Sequence, residues 1–179
     1  RLVRSMLNLA KIEAGEMKLN CTSFNIVDTI CQTVFSFEQQ IEAKHLAIRG
    51  LAHDKLPVDA DPDLIHQVIY NLTENAVKFV NEGGYLEFDL KKENGFVIMG
   101  VKNSGAGLTK DEIAHVFDRF YKTDKSRGLD KNGVGLGLYI VKSIVNLHQG
   151  EIMVRSVPGE YTEFVCSLPA GKHPKLKKS

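Results

Sequence analysis

Three polar side chains on one predicted helix are the first group in this sequence that is equipped for chemistry. Asn71, Asn75 and Lys78 stand four and three residues apart in the segment "DPDLIHQVIYNLTENAVKFV". At roughly 100° per residue, this spacing puts them in a narrow arc beside the apolar positions of the same helix. An amide oxygen is a hard ligand that suits Mg²⁺, and an ammonium group attracts phosphate oxygens. The group suits a metal ion with a polyphosphate, but an ordinary solvated helix face explains the same spacing.

Two glycine-containing segments follow this helix along the chain. "NSGAG", residues 103–107, leaves a predicted strand, and "GVGLGL", residues 133–138, opens a predicted helix. Glycine permits close approach of the backbone, and the free N–H groups at a helix N-terminus attract anions. Neither segment is a Walker loop, because no Gly-Lys-Ser/Thr follows, and "GVGLGL" has no third glycine at the dinucleotide spacing. Their order behind the asparagine helix favours a phosphate site over two ordinary turns.

The elements that must position these residues follow from the hydrophobic pattern. Apolar residues at helical spacing predict helices over residues 24–45, 61–80 and 136–148. Alternating or continuous apolar runs predict strands over residues 85–90, 96–102, 151–157 and 162–168. Turns at Glu93-Asn94-Gly95 and Pro158-Gly159 join these strands in pairs. Helices on one face of a mixed, mostly antiparallel sheet predict an α+β fold, a two-layer sandwich.

The chain begins inside a helical pattern. Apolar residues repeat at 4-3-4-3 spacing at Val3, Leu7, Ala10, Ala14 and Met17. This seam is typical of a helical hairpin that pairs between chains, and a helix packed on its own domain explains it equally well. Residues 20–25 lack periodicity and are predicted to be a linker. We therefore divide the chain into a helical segment (1–20), a main domain (21–170) and a basic tail (171–179).

Composition limits the classes of function. A net charge of +1 creates no field that would favour nucleic acid or a membrane surface, and the lysines of residues 172–178 are expected to be a solvated tail. Cys21, Cys31 and Cys166 are odd in number and lack a Cys-x-x-Cys spacing, which favours reduced thiols over disulfides or a zinc site. No apolar run reaches the roughly 18 residues that a membrane span needs. We expect a soluble, cytoplasmic domain.

Four ordered segments resemble the nucleotide-binding boxes of a known family. "NLTENAVKF", "NSGAG", "VFDRFY" and "GVGLGLYIVK" are similar in order and spacing to the N, G1, F and G2 boxes of bacterial sensor histidine kinases, whose catalytic domains have the Bergerat ATPase fold. The likeness covers residues 24–169, and residues 1–20 resemble the end of the family's second dimerisation helix. The resemblance implies ATP and Mg²⁺ as cofactors and phosphoryl transfer from ATP to a histidine.

The resemblance also implies roles for single residues. Asn75 matches the asparagine that coordinates Mg²⁺, Asn71 is its partner one turn earlier, and Lys78 matches the lysine that neutralises phosphate charge. These three are the expected catalytic residues, and each is also expected to contact the nucleotide. The other nucleotide contacts that the match implies are Phe79, Asn103, Gly105, Gly107, Lys122, Arg127, Gly133, Val134, Gly135, Leu136, Gly137, Leu138 and Thr162.

The segment between the last two boxes is expected to be a lid. Residues 121–134 are polar and contain glycine, as in a mobile lid over the nucleotide. Phe117 and Phe120 match the box that anchors this lid, and helix packing explains them as well. Lys122 and Arg127 are candidates to reach the phosphates, with ordinary solvated charges as the equal alternative.

Two positions depart from the family pattern and keep an alternative function open. Asn103 stands where the family has an aspartate that accepts a hydrogen bond from the adenine amino group, and Tyr161 stands where the last box often has glycine. A neutral acceptor contributes roughly 0.5–1.5 kcal/mol, against about 1.5–3 for a charged one. The alternative is a degenerate kinase that binds nucleotide without transferring phosphate. A gyrase-type ATPase is disfavoured, because Asn71 occupies the place of its glutamate base and an amide cannot take a proton from water.

The phosphate acceptor is expected to lie outside this chain. None of the six histidines stands in the His-Glu/Asp…Pro context of a phosphoacceptor helix; they are His45, His53, His66, His115, His148 and His173. The resemblance therefore implies two protein partners, the histidine-bearing dimerisation domain of the same protein and a cognate response regulator. It also implies a homodimeric parent protein that is anchored in the cell membrane. No nucleic-acid partner is expected.

Overall fold

In a computed structural model, residues 2–52, 54–129 and 135–171 are described, and they form seven helices and seven strands. The helices are α1 (Leu2–Glu13), α2 (Ile26–Ser36), α3 (Glu38–Ala43), α4 (Pro62–Phe79), α5 (Lys110–His115), α6 (Asp124–Leu129) and α7 (Gly137–Leu147). The strands are β1 (Thr22–Asn25), β2 (Ala47–Arg49), β3 (Pro57–Ala60), β4 (Tyr85–Glu93), β5 (Phe96–Ser104), β6 (Ile152–Val157) and β7 (Tyr161–Pro169).

The larger sheet joins five strands in the order β2-β4-β5-β7-β6. The β2–β4 pair is parallel, and the other three pairs are antiparallel. Helices α4 and α7 pack together and cover one face of this sheet, and α2 packs on α4. The predicted α+β two-layer sandwich with a mixed, mostly antiparallel sheet is confirmed.

The helix that carries the polar arc, α4, starts where the sequence predicts. The Asp61 carboxylate accepts hydrogen bonds from the backbone N–H groups of Asp63 and Leu64, at 3.1 and 3.3 Å. Pro62 fits the first turn, where its missing N–H would have no helical partner. Buried apolar side chains then follow one face of the helix: Leu64, Ile65, Val68, Ile69, Leu72, Ala76 and Val77. Burial of one Leu or Ile side chain contributes about 1.5–3 kcal/mol, so this face fixes the rotation of α4.

The prediction of one long helix over residues 24–45 was wrong. The Asn25 side chain accepts from the N–H of Val27 at 3.2 Å and caps α2, so the helix starts later. Helix α2 ends at Ser36, and Phe37, which is only 4% exposed, turns into the core against Tyr70 with ring centroids 4.9 Å apart. The remaining residues form the short helix α3.

The segment predicted to be a linker is partly a strand. Thr22–Asn25 forms β1, which pairs antiparallel with β3 in a separate two-stranded sheet. The hydrophobic pattern did not predict β2, β3, α5 and α6 either. These are elements of three to six residues, too short to show a period.

Helix α1 packs on the rest of the domain, but not through the predicted seam. Leu9 is buried and Ile12 packs against the core, while Val3 and Leu7 of the seam are 70% and 59% exposed. The helix ends at Glu13 because the chain turns at Gly15, where φ is +70°. Glu13 there forms an ion pair with Arg119 and accepts a hydrogen bond from the Tyr139 hydroxyl at 2.9 Å.

The three cysteines are free, and they differ in their surroundings. Cys21 and Cys31 are exposed, whereas Cys166 is buried in the sheet, and burial raises the pKa of its thiol to about 12.

Across residues 2–52, 54–129 and 135–171, no helix is both long and apolar enough to cross a membrane. Within the same ranges, no group of three or more His, Cys, Asp and Glu side chains could hold a metal ion.

A lysine closes the C-terminal end of α4. The Lys44 ammonium donates to the backbone oxygen of Val77 at 2.7 Å and lies 3.4 Å from the oxygens of Lys78 and Val80. The last carbonyl groups of a helix have no partner within the helix and carry partial negative charge. Lys44 therefore stabilises the turn from which Lys78 and Phe79 project.

We predict that Lys44→Met lowers the free energy of unfolding by about 1–2 kcal/mol, since it removes a charged hydrogen bond while keeping the aliphatic stem. Urea denaturation monitored by circular dichroism measures this change. The matched control is Lys55→Met, at an exposed lysine outside every helix and strand of the described structure, which should stay within about 0.5 kcal/mol. Equal effects of the two substitutions would show that Lys44 does not hold the helix end.

Candidate functional site

A cavity of about 650 Å³ opens beside α4. Its walls are the polar side of α4, the loop after β5, the segment 121–128 and the start of α7. The volume is within the range of small-molecule sites, roughly 300–1,000 Å³. Most of the residues singled out from the sequence lie here.

The polar arc of α4 faces this cavity. Asn71, Asn75, Lys78 and Phe79 all line it, and all four are half-buried. The Asn71 amide donates from Nδ2 to the backbone oxygen of Gly137 at 3.3 Å, so the oxygen of that amide is left for another partner. The Lys78 ammonium lies 3.3 Å from the Ser126 hydroxyl and 5.3 Å from the centre of the Phe79 ring. An ammonium and two amide oxygens thus meet at one wall.

The end of the sheet supplies a buried polar wall. Asn103, at the end of β5, is 3% exposed and lies opposite Thr162 of β7, which is 7% exposed. The Asn103 amide donates from Nδ2 to the backbone oxygen of Ser104 at 3.0 Å. In the described structure no group donates to its Oδ1, so the amide offers an acceptor to a ligand.

The glycines of the loop after β5 are required by close contacts. Gly107 lines the cavity at φ +74°, and a Cβ there would lie 2.7 Å from the backbone oxygen of Val157. Gly105 is not part of the cavity wall. A Cβ at Gly105 would lie 2.8 Å from the backbone oxygen of Phe79, so this glycine lets the loop pack on the end of α4.

The start of α7 forms the wall facing α4. The residues that line the cavity there are Gly135, Leu136, Gly137 and Leu138. Helix α7 begins at Gly137, and the free N–H groups of a helix N-terminus attract an anion. Two further predicted contacts, Gly133 and Val134, lie outside the described residues.

The segment predicted to be a lid brings one of its two candidate cations to the cavity. Lys122 lines the cavity, but Arg127 does not; its guanidinium lies 3.9 Å from the Asp124 carboxylate at the surface. Thr123 and Ser126 line the wall, and both are 8% exposed. The Thr123 hydroxyl accepts from the N–H of Ser126 at 3.0 Å, which shapes this first turn of α6.

The two phenylalanines of the F-like segment differ. Phe117 packs edge-on against Phe164 with ring centroids 5.8 Å apart, which anchors the segment to β7. Phe120 is 63% exposed and adopts φ +61°. Its N–H donates to the backbone oxygen of Gly135 at 3.0 Å, so the two ends of the lid segment are tied by one backbone hydrogen bond.

Titratable groups surround the lid segment. Tyr121 lines the cavity, and partial desolvation, followed by the charges of Glu112, Asp111 and Asp124, raises the pKa of its hydroxyl. A hydrogen bond from His115 to Asp118 raises the pKa of that imidazole. The side chains on the cavity wall include three lysines and three carboxylates: Lys78, Lys122, Lys125, Glu74, Glu112 and Asp124.

Sequence reasoning missed several lining residues. Those that were not predicted individually are Ser5, Glu74, Ala106, Leu108, Glu112, Val116, Ile140 and Phe164, and, within the segment predicted to be a lid, Tyr121, Thr123, Asp124, Lys125, Ser126 and Gly128. Phe164 follows Thr162 on the core face of β7, so strand alternation could have found it. Ser5 belongs to α1, far away in sequence, and no local pattern signals its approach.

Comparisons with known proteins agree with this geometry. Residues 60–172 match the family described as histidine kinase-, DNA gyrase B-, and HSP90-like ATPase. The chain is 36% identical over 171 residues to the sensor histidine kinase WalK of Bacillus subtilis (strain 168). The matched region covers 94% of this chain and 28% of WalK. The chain thus spans less than a third of the length of this relative.

Solved structures show the same fold. Full-length ShkA in complex with AMPPNP is similar with a TM-score of 0.79 and 25% identity, over 94% of this chain and 35% of that one. The histidine kinase ThkA in complex with the response regulator protein TrrA is similar in fold with a TM-score of 0.73 and 24% identity, over 95% of this chain and 48% of that one. The likeness to histidine-kinase catalytic domains is confirmed, and the chain belongs to the family of histidine kinase-, DNA gyrase B- and HSP90-like ATPases.

Proposed function

We propose that this domain binds Mg·ATP and transfers the γ-phosphoryl group to a histidine on a dimerisation domain, for onward transfer to an aspartate of a response regulator. One observation carries the proposal: Asn71, Asn75, Lys78 and Phe79 of α4 share a single cavity with Asn103 and Thr162 at the end of the sheet. A polar arc for phosphates and a buried acceptor for a base therefore line the same cavity.

The sheet end of the cavity suits adenine. The adenine amino group is a donor, and the free Oδ1 of Asn103 is an acceptor held in place by the bond from Nδ2 to Ser104. Phe79 contributes an aromatic side chain to the same cavity, and Thr162 lies opposite Asn103 on β7. Tyr161, the second departure from the family pattern, does not line the cavity; Lys102 lies over its ring at 4.1 Å. Because Tyr161 lies outside the cavity wall, this departure from the family pattern weighs against a loss of nucleotide binding at the pocket.

The other end of the cavity suits a metal-bound polyphosphate. Asn75 would hold Mg²⁺ through its amide oxygen, with Asn71 one turn away, and bound Mg²⁺ supplies positive charge to the phosphate oxygens. The fit is supported by the charges of the described lining residues, which include three lysines and three carboxylates. Such a wall needs an added cation to hold a polyphosphate. Lys78, Lys122 and the N-terminus of α7 would contact the phosphates, along with the glycines of residues 133–137.

The transfer itself needs positioning and charge neutralisation more than a base. The nucleophile would come from outside this chain, because none of its histidines stands in the sequence context of a phosphoacceptor helix. Two of the described histidines also have partners within the domain. His148 is buried, its Nδ1 lies 2.8 Å from the backbone oxygen of Ile144, and its Nε2 accepts from the N–H of Asp61 at 3.1 Å. His115 is bonded to Asp118. Neither ring nitrogen of His148 is open to phosphate.

The parent protein would supply what this chain lacks. We assign residues 1–20 to the end of a dimerisation helical hairpin, residues 21–170 to the catalytic domain and residues 171–179 to a basic tail. The exposed Val3 and Leu7 of α1 support a pairing helix. From the family resemblance we also propose a homodimeric parent anchored in the cell membrane, with this domain in the cytoplasm. The alternative, a degenerate module that binds nucleotide without transfer, rests on Asn103.

We predict that the chain binds Mg·ATP but does not label itself, because it has the cavity and lacks the acceptor. Incubation with γ-labelled ATP, alone and with a supplied dimerisation hairpin, measures both properties. Transfer to the hairpin supports the kinase over the degenerate module. Stable, acid-labile label on this chain alone would contradict the expected absence of an acceptor.

We predict that Asn75→Ala abolishes the Mg²⁺ dependence of nucleotide binding and the transfer to a supplied hairpin. The thermal midpoint without nucleotide should stay the same or rise, since alanine is the better helix former. Calorimetric titration and thermal melting test the two parts. The matched control is Asn146→Ala, at an exposed position of α7 outside the cavity, which should keep normal binding. If Asn75→Ala unfolds the domain, its role is structural.

We predict that Asn103→Asp binds ATP as tightly as the parent chain or more tightly, because an acceptor remains and gains charge, while GTP binding does not improve. Asn103→Ala should lose about tenfold in ATP affinity, the equivalent of roughly 1.4 kcal/mol. Calorimetric titration of the three proteins with both nucleotides measures this. Equal affinities for ATP and GTP in all three would exclude adenine recognition by Asn103.

A further inference from the structure

Three polar side chains form a row across the end of the sheet. Asn103 of β5 pairs with Thr162 of β7, and Thr162 pairs with Ser156 of β6. Side chains directly opposite each other on neighbouring strands lie on the same face of a sheet. Asn103 and Thr162 line the cavity, whereas Ser156 stands behind them and is half-buried.

The Ser156 hydroxyl has three partners. It accepts from the backbone N–H of Leu108 at 2.8 Å and donates to the backbone oxygen of Tyr161 at 2.7 Å. It also lies 3.3 Å from the Thr162 hydroxyl, a longer contact in which either oxygen could be the donor. The first two bonds are short and have fixed roles, because an N–H only donates and a carbonyl only accepts.

These fixed roles decide the third bond. A serine hydroxyl has one proton, and the short bond to Tyr161 uses it. The contact between Ser156 and Thr162 is therefore a hydrogen bond only when Thr162 donates. The Thr162 hydroxyl, with its one proton committed to Ser156, can then only accept a hydrogen bond from a ligand.

We propose that Ser156 is a positioning residue that fixes Thr162 as a hydrogen-bond acceptor and so makes the cavity select a base with an amino donor over one with a carbonyl acceptor. The inference rests on the proposed binding of ATP. With Ser156 in place, the row presents two acceptors, Thr162 Oγ1 and Asn103 Oδ1. Adenine carries an amino group at its six position, and guanine carries a carbonyl oxygen there. Two acceptors attract the first and repel the second.

Removal of the Ser156 hydroxyl should free Thr162 without losing the fold. The loop after β5 keeps other ties to the β6–β7 turn, since the N–H of Gly159 donates to the oxygen of Ala106 at 2.7 Å and the N–H of Gly105 donates to that of Glu160 at 3.2 Å. A freed threonine hydroxyl can rotate and donate to guanine. The ratio of the two affinities reports this change, while a purely structural loss would weaken both nucleotides alike.

The experiment is calorimetric titration of the whole chain with Mg·ATP and with Mg·GTP. For Ser156→Ala we expect the preference for ATP over GTP to fall about five- to tenfold, the effect of one misoriented hydrogen bond. Ser156→Thr keeps the hydroxyl and should keep the preference. Ser167→Ala is the matched control, because the Ser167 hydroxyl accepts from the N–H of Glu151 at 3.0 Å at the other end of the same hairpin.

A second variant tests the route through Thr162. In Thr162→Val, which lacks the hydroxyl, Ser156→Ala should leave the ratio unchanged. If Ser156→Ala fails to fold, Ser156→Cys, with its weaker donor and acceptor, takes its place in the same comparison. An unchanged ratio in the serine variants, with ATP still bound, overturns the role of Ser156 alone. Absence of ATP binding by the parent chain overturns the proposed function as well.

Discussion

The placement of α4 is the constraint on which the site depends, and contacts at both helix ends fix it. At the N-terminus, Asp61 caps the first turn and its own N–H donates to the buried His148, which joins α4 to the end of α7. At the C-terminus, the Lys44 ammonium meets the last carbonyl groups. Between these ends, the buried apolar face prevents rotation about the helix axis. These contacts keep Asn71, Asn75 and Lys78 on the side of α4 that lines the cavity.

The two ends of the cavity are built in different ways. The end at the sheet consists of paired strands, where register fixes Asn103 opposite Thr162 and Thr162 opposite Ser156. The other end joins a helix face, a helix start and the lid segment, whose Ser126 hydroxyl lies near the Lys78 ammonium. Under the proposed function, the base would lie against the strands, and the phosphates would lie where separate elements of the chain meet.

Elements with a long hydrophobic period were predicted from the sequence, whereas features that depend on one tertiary contact were not. The buried face of α4 runs for several turns, so hydrophobic periodicity alone was enough to place the arc of Asn71, Asn75 and Lys78. Strand alternation likewise gave β4 to β7 nearly to their ends. The break at Phe37 could not be foreseen, because it depends on packing against Tyr70, and β1 depends on its partner β3. Arg127 illustrates the limit at the site, since residue type did not reveal whether its side chain reaches the cavity.

The bond between Phe120 and Gly135 has a consequence for how the lid segment can vary. Both residues have positive φ, +61° and +73°, and the backbone hydrogen bond from Phe120 to Gly135 holds the two flanks of the segment 121–134 together at a neck. A Cβ at Gly135 would lie 2.7 Å from the carbonyl carbon of Phe120, so the neck requires glycine on one side. When the ends of a loop are fixed, the entropic cost of closing it rises by only about 0.6 kcal/mol for each doubling of its length. Insertions and deletions after Gly128, the last described residue of this segment that lines the cavity, therefore leave the described walls in place. The length of that part of the segment can evolve independently of the cavity.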